Sequence, residues 1–198
     1  MHDISLDTLT ATAARLVVEE GLDYGTAKQR AIRQLKLSPR TPLPDNLLLE
    51  AAVREYLAVF CADTQPTELA ALRHLALQWM ERLAEYAPLI GGAIWHGTAT
   101  RLNDIYLQLF SDDPKAVELT LINQNLDYEV TRVTGLHGTD VDALSLHAWC
   151  PELGEDVGVH LLVNDGRAQR GALQPDQARR KPRGTAAQLA ARLQEDAA

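Results

Sequence analysis

The residues with the most chemical promise lie in one stretch, Gly91-Gly92-Ala93-Ile94-Trp95-His96-Gly97-Thr98-Ala99-Thr100-Arg101-Leu102-Asn103-Asp104-Ile105-Tyr106-Leu107. A glycine turn ahead of a helix start aims backbone N–H groups outward, which suits phosphate oxygens. An acidic residue on the adjacent strand, here Asp104, can hold a Mg²⁺ ion that bridges the same oxygens. Those are the parts of nucleotidyl transfer. The plainer alternative gives Asp104 a turn cap or an ion pair with Arg101, and gives the glycines only backbone geometry. Trp95 and His96 suit either stacking on a base or packing in a core. The sequence has no Gly-x-x-x-x-Gly-Lys-Ser/Thr loop, no Gly-x-Ser-x-Gly elbow, no His-Glu-x-x-His and no Gly-x-Gly-x-x-Gly turn. Most mechanisms with a local signature are thereby removed. His147, Cys150 and His160 do not follow a usual zinc spacing and read as sheet residues.

The composition narrows the classes further. At 198 residues, 46% hydrophobic and 23% charged, the chain has enough apolar content for a packed core, which excludes disordered, collagen-like and coiled-coil classes. Nineteen Lys and Arg stand against 27 Asp and Glu, a formal charge of −8, so wrapping nucleic acid or lying on an anionic membrane is not expected. The two cysteines, Cys61 and Cys150, are far apart, and Met1-His2-Asp3 lacks the start of a signal peptide. No apolar run approaches the roughly 20 residues of a membrane span. The expected location is the cytoplasm.

The elements that must position these residues follow from period and punctuation. Residues 1–87 read as four helices. Behind a cap at Ser5, Leu6, Leu9, Ala13, Leu16 and Val17 make the first stripe, which Gly21 ends. Asp23 or Thr26 starts the second helix, with Ala27, Ala31, Ile32 and Leu35 inward. Three prolines between Ser38 and Pro44 form a loop. Asp45 caps the third helix, whose inward set is Leu48, Leu49, Ala52, Val53, Tyr56, Leu57 and Phe60. Thr64 before Pro66 opens the fourth, with Leu69, Leu72, Leu75, Trp79, Met80 and Leu83. From Pro88 the period changes to two. Between Leu102 and Phe110, Asp104, Tyr106 and Gln108 share one face with both ends, while Ile105, Leu107 and Leu109 take the other. The first face is expected to line a cleft that ends at the Gly91–Gly97 turn. Asp113 and Pro114 start a helix with Val117, Leu121 and Ile122 as its stripe, and strands are expected at 127–133, 141–149 and 157–163. The polar stretch 167–198, with Arg167, Arg170, Arg179, Arg180, Lys181 and Arg183, reads as a solvated tail ending in a short helix from about Thr185.

With those residues in view, the central segment resembles the signature of the DNA polymerase beta-like nucleotidyltransferase superfamily. That signature is a Gly-Ser turn, a glycine five residues on, and Asp-x-Asp or Asp-x-Glu seven residues later. Gly92, Gly97 and Asp104 fall at those spacings, whereas Ala93 replaces the serine and Tyr106 the second carboxylate. The resemblance implies an α+β fold, a helical region (1–87) packed on a nucleotidyltransferase-like mixed sheet with helices (88–166), followed by the tail (167–198). It implies that Asp104 holds Mg²⁺ with a third carboxylate, for which Asp142 is the best match with Asp140 and Glu129 behind it, that Gly92 and Gly97 shape the phosphate turn of an NTP, and that Thr98 or Arg101 touches phosphate. Tyrosine is a poor magnesium ligand, and a two-metal displacement needs about three carboxylates. The expected function is therefore a pseudoenzyme acting as a nucleotide-binding or protein-interaction module. The alternative is a Mg²⁺-dependent enzyme moving NMP from an NTP to a hydroxyl. The whole chain is also similar to a group of proteobacterial proteins, some named UDP-N-acetylmuramate–alanine ligase, in Gly21-Leu22-Asp23-Tyr24 and Leu144-Ser145-Leu146-His147. That activity implies an ATP phosphate loop, which this sequence lacks.

Overall fold

The computed structural model describes residues 6–176 and 179–196, and the expected cap Ser5 lies outside them. The architecture is α+β: helices lead, and a six-stranded mixed sheet follows. The chain divides into two compact units. One runs through Thr67 and takes back Thr98–Leu102; the other is Glu68–Gly97 with Asn103 onward.

The first unit is built on α1 (Leu6–Glu20), α2 (Tyr24–Gln34) and α3 (Asn46–Phe60). Their stripes meet in a core of Leu9, Ala13, Leu16, Ala27, Ala31, Ile32, Leu49, Val53 and Leu57. Leu48 and Phe60, expected to face inward, are exposed; Phe60 instead lies against Tyr56 with ring centroids 4.5 Å apart and planes tilted by 40°. Gly21 ends α1 at φ +66°, and a Cβ there would meet Leu102 at 3.0 Å. Residues 98–102 are a turn rather than the start of a strand, with the Leu102 amide donating to Thr100 Oγ1 at 3.4 Å.

Asp23 and Asp45 cap α2 and α3, accepting from the amides of Thr26 and Leu48. The Thr26 hydroxyl and amide hold the Asp23 carboxyl below its ordinary value. Asp23→Ala is expected to cost about 1 kcal/mol in urea unfolding at neutral pH. Because the folded-state value is the lower one, that stabilisation is complete above the unfolded-state pKa of about 3.9 and is lost as pH falls through the folded-state value. A gap between variant and wild type that persists undiminished into strong acid contradicts the cap.

The helix α4 (Gln65–Arg82) leads into the second unit, whose sheet comprises β1 (Leu89–Gly91), β2 (Ile105–Phe110), β3 (Glu129–Thr134), β4 (Asp140–Cys150), β5 (Glu155–Asn164) and β6 (Arg183–Gly184). The order is β3-β4-β5-β2-β1-β6. Only β2 and β5 run parallel among these neighbours. The period-two reading of β2 holds: Ile105, Leu107 and Leu109 are buried while Tyr106 is exposed.

Three local expectations are corrected. The helix α6 (Ala116–Asn123) starts after Asp113 and Pro114, because Ser111 and Asp113 bond within their own turn and Asp113 Oδ1 takes the Lys115 amide at 2.9 Å. In so short a helix only Val117 and Leu121 are buried, and Ile122 is exposed. The basic stretch is no solvated tail: β6 pairs with β1, and α7 (Ala186–Asp196) buries Leu189 and Leu193. Thr185 and Gln188 cap α7 reciprocally, each accepting the other's amide.

Candidate functional site

The sheet register separates the two carboxylates expected to share an ion. Asp104 directly precedes β2, and its Oδ1 accepts the Gly158 amide at 3.2 Å. Tyr106 pairs with His160, and His160 with Ser145. Paired residues share a face, so Asp104, Tyr106, His160 and Ser145 project from the same side. Asp142 is three residues from Ser145 on β4 and projects from the opposite side with Leu144 and Leu146. It also pairs with Val163, five residues along β5 from Gly158, which is roughly 16 Å at strand rise. Arg132 Nη1 donates to it at 3.1 Å. Ion sharing needs about 4 Å. Asp104 and Asp142 therefore do not fit a common Mg²⁺, and among the described residues no group of three His, Cys, Asp or Glu is arranged around a metal. Cys150 is buried on the Asp142 side of β4, and burial pushes its thiol above the ordinary value.

The glycine turn is a packing node. Residues Gly92–His96 form one short helix, α5, ending in left-handed Gly97. Trp95 is 2% exposed. Its indole donates to the Lys181 carbonyl at 2.8 Å, the Arg192 guanidinium lies 3.7 Å above the ring, and Gly184 lies against it. Buried Arg73 donates to the carbonyls of Ile94 and Trp95 and pairs with Asp196. Of the residues expected to meet phosphate, Gly92 has open space beside it, Thr98 is buried, and Arg101 sits on the exposed turn of the other unit. A cavity of about 310 Å³ is lined by Met80, Ala84, Pro88, Leu89, Leu173 and Ala186, not by Asp104.

What the sheet does assemble is a hydrogen-bonded chain. Ser145 Oγ lies 2.8 Å from His160 Nδ1, and His160 Nε2 lies 3.2 Å from Asp104 Oδ2. A carboxylate only accepts, so Nε2 carries the proton; in the neutral ring Nδ1 is then the acceptor for the Ser145 hydroxyl. The Tyr106 ring stacks on the imidazole with centroids 4.5 Å apart and planes 22° apart. Gly158 makes this possible, because a Cβ there would come within 2.6 Å of Asp104 Cγ. Gly158→Ala is expected to displace the carboxylate and cost about 1–3 kcal/mol. The His160 ¹⁵N ring signals should move with it, and an unchanged ring spectrum would refute the arrangement.

Around this chain the face is open at one end and covered at the other. Toward the covered end Leu89, Phe110, Leu136 and Ala172 cluster, and buried Asn164 donates to Gln108, Leu109 and Leu162 while accepting the Leu136 amide. Toward the open end Tyr106 is 54% and Trp149 59% exposed, and His147, Asp156 and Glu129 are exposed beside them. On this face no position of β2, β3, β4 or β5 is Lys or Arg, and Arg183 of β6, which shares the face through its pairing with Gly91, donates to the Ala172 carbonyl at 3.4 Å. Sequence reasoning placed Asp104 and Tyr106 here but missed Ser145, His160 and Trp149. The signal was present, since Val157, Val159, Leu161, Leu144 and Leu146 alternate with them. No family model, curated protein or solved structure matches the chain.

Proposed function

We propose that the chain is a binding module without nucleotidyl-transfer chemistry, and that the open end of its sheet docks a basic segment of a protein partner. The observation that carries this reading is the makeup of that face: two half-exposed aromatic rings, Tyr106 and Trp149, among the carboxylates of Asp104, Asp156 and Glu129, with no cation on β2 to β5 and with Arg183 of β6 engaged by the Ala172 carbonyl. Aromatic faces and carboxylates both attract Arg and Lys side chains. A nucleotide's phosphates would instead meet three carboxylates. The transferase alternative needs Asp104 and Asp142 to share an ion, and they project from opposite sides of the sheet. The net charge of −8 favours the same kind of partner over nucleic acid. The helices add nothing long and apolar enough to cross a membrane among the described residues.

Calorimetric titration of the full chain with a short Arg- and Lys-rich peptide tests the proposal, with an Asp- and Glu-rich peptide and Mg²⁺-ATP as comparisons. Saturable binding of the basic peptide alone, weakening as salt is raised, is the expected result. Binding of Mg²⁺-ATP with no response to the basic peptide overturns it.

A further inference from the structure

We propose that Ser145 is a nucleophile activated by His160, able to take an acyl group from an activated ester or thioester. This goes beyond docking and does not depend on it. The base stands within transfer distance, with Nδ1 2.8 Å from Oγ. Asp104 is the positioning residue: it fixes the ring tautomer through Nε2 and is itself seated on the Gly158 amide. The Tyr106 stack restrains the ring plane. Ser145 sits on β4, an interior strand paired on both sides, through Glu129 and His160. A nucleophile on such an element keeps its geometry.

In the step, Ser145 Oγ forms a bond to the carbonyl carbon while its proton passes to His160 Nδ1. The carbon–oxygen or carbon–sulfur bond to the leaving group then breaks, and the leaving group departs with that proton. Asp104 faces the transient imidazolium. The product is a serine ester and a free alcohol or thiol, and no other reactant is consumed. Ser145 is paired on both sides, through Glu129 and His160, so its own strand offers no unpaired backbone N–H to a tetrahedral oxyanion. The acyl group is therefore expected to accumulate on Ser145 rather than turn over quickly.

The test treats the full chain with p-nitrophenyl acetate and follows acetylation by intact mass, with the site located by peptide mass spectrometry. One acetyl group on Ser145 is expected, absent in Ser145→Ala and formed about a hundredfold more slowly in His160→Gln, with the pH dependence of the wild-type rate lost in that variant. Circular dichroism checks that the variants are folded. A second comparison avoids dependence on the serine: in Ser145→Cys the new thiol should be alkylated by iodoacetamide at mildly acidic pH faster than in Ser145→Cys/His160→Gln. No acetyl group on Ser145 in the wild type, equal acetylation in His160→Gln, or equal alkylation of the two cysteine variants each overturns the proposal.

Discussion

Gly184→Val is expected to cost at least about 3 kcal/mol, because overpacking a closed site forces backbone or ring to move. A Cβ at Gly184 would come 2.2 Å from the Trp95 ring. The ring has no room to yield: the Arg192 guanidinium lies on it, its indole N–H is held by the Lys181 carbonyl, and its own carbonyl accepts from Arg192 at 2.9 Å. Trp95→Ala should lose about 3–5 kcal/mol for the opposite reason, a cavity where the ring was. Against a total stability of roughly 5–15 kcal/mol, either change leaves the fold marginal. The two residues occupy one site, so their effects should not add. Gly184→Ala should cost distinctly less in a Trp95→Leu background than alone. Equal costs in the two backgrounds, read by urea unfolding, would mean that the ring is not what excludes the side chain.

The second large effect concerns binding. Replacing both Tyr106 and Trp149 by Ala is expected to weaken a basic peptide about thirtyfold, at roughly 1 kcal/mol for each cation–π contact removed. Asp156→Lys should weaken it as well and reduce the salt dependence, since a repulsive charge then faces the peptide. All three positions are exposed, so stability should change little. Undiminished binding by the double variant would show that the peptide sits elsewhere.

The helices were legible because their evidence is local. Asp23 and Asp45 cap where their side chains can reach an amide, Gly21 ends α1, and the 3.6 period marks the buried stripes. The strands β2, β4 and β5 were legible to within about two or three residues, because alternation against Leu and Val is also local. The two shortest strands were not. With three residues and two, β1 and β6 carry no period, and their pairing is a long-range choice. Arg183 shows how a basic run hides structure: it belongs to a strand, and burial pushes its guanidinium below the ordinary value.

The error at Asp142 was one of parity. Leu144 and Leu146 face the core, so Asp142, two residues before Leu144, must project from their side. Asp104 lies on the other side of its strand from Ile105 and Leu107. Matching carboxylates by spacing ignored that constraint. The same parity, applied to Val159 and Leu161, would have put His160 beside Asp104.

The most direct measurement is a titration of the ¹⁵N-labelled full chain with the Arg- and Lys-rich peptide, following backbone amides and the Trp149 indole. Saturable shifts grouped at Tyr106, Ser145, Trp149, Asp156 and Gly158, which shrink as salt is raised, are expected. Shifts grouped instead at Gly92–Gly97, or no saturable shift on the Tyr106 face, would contradict the proposed docking.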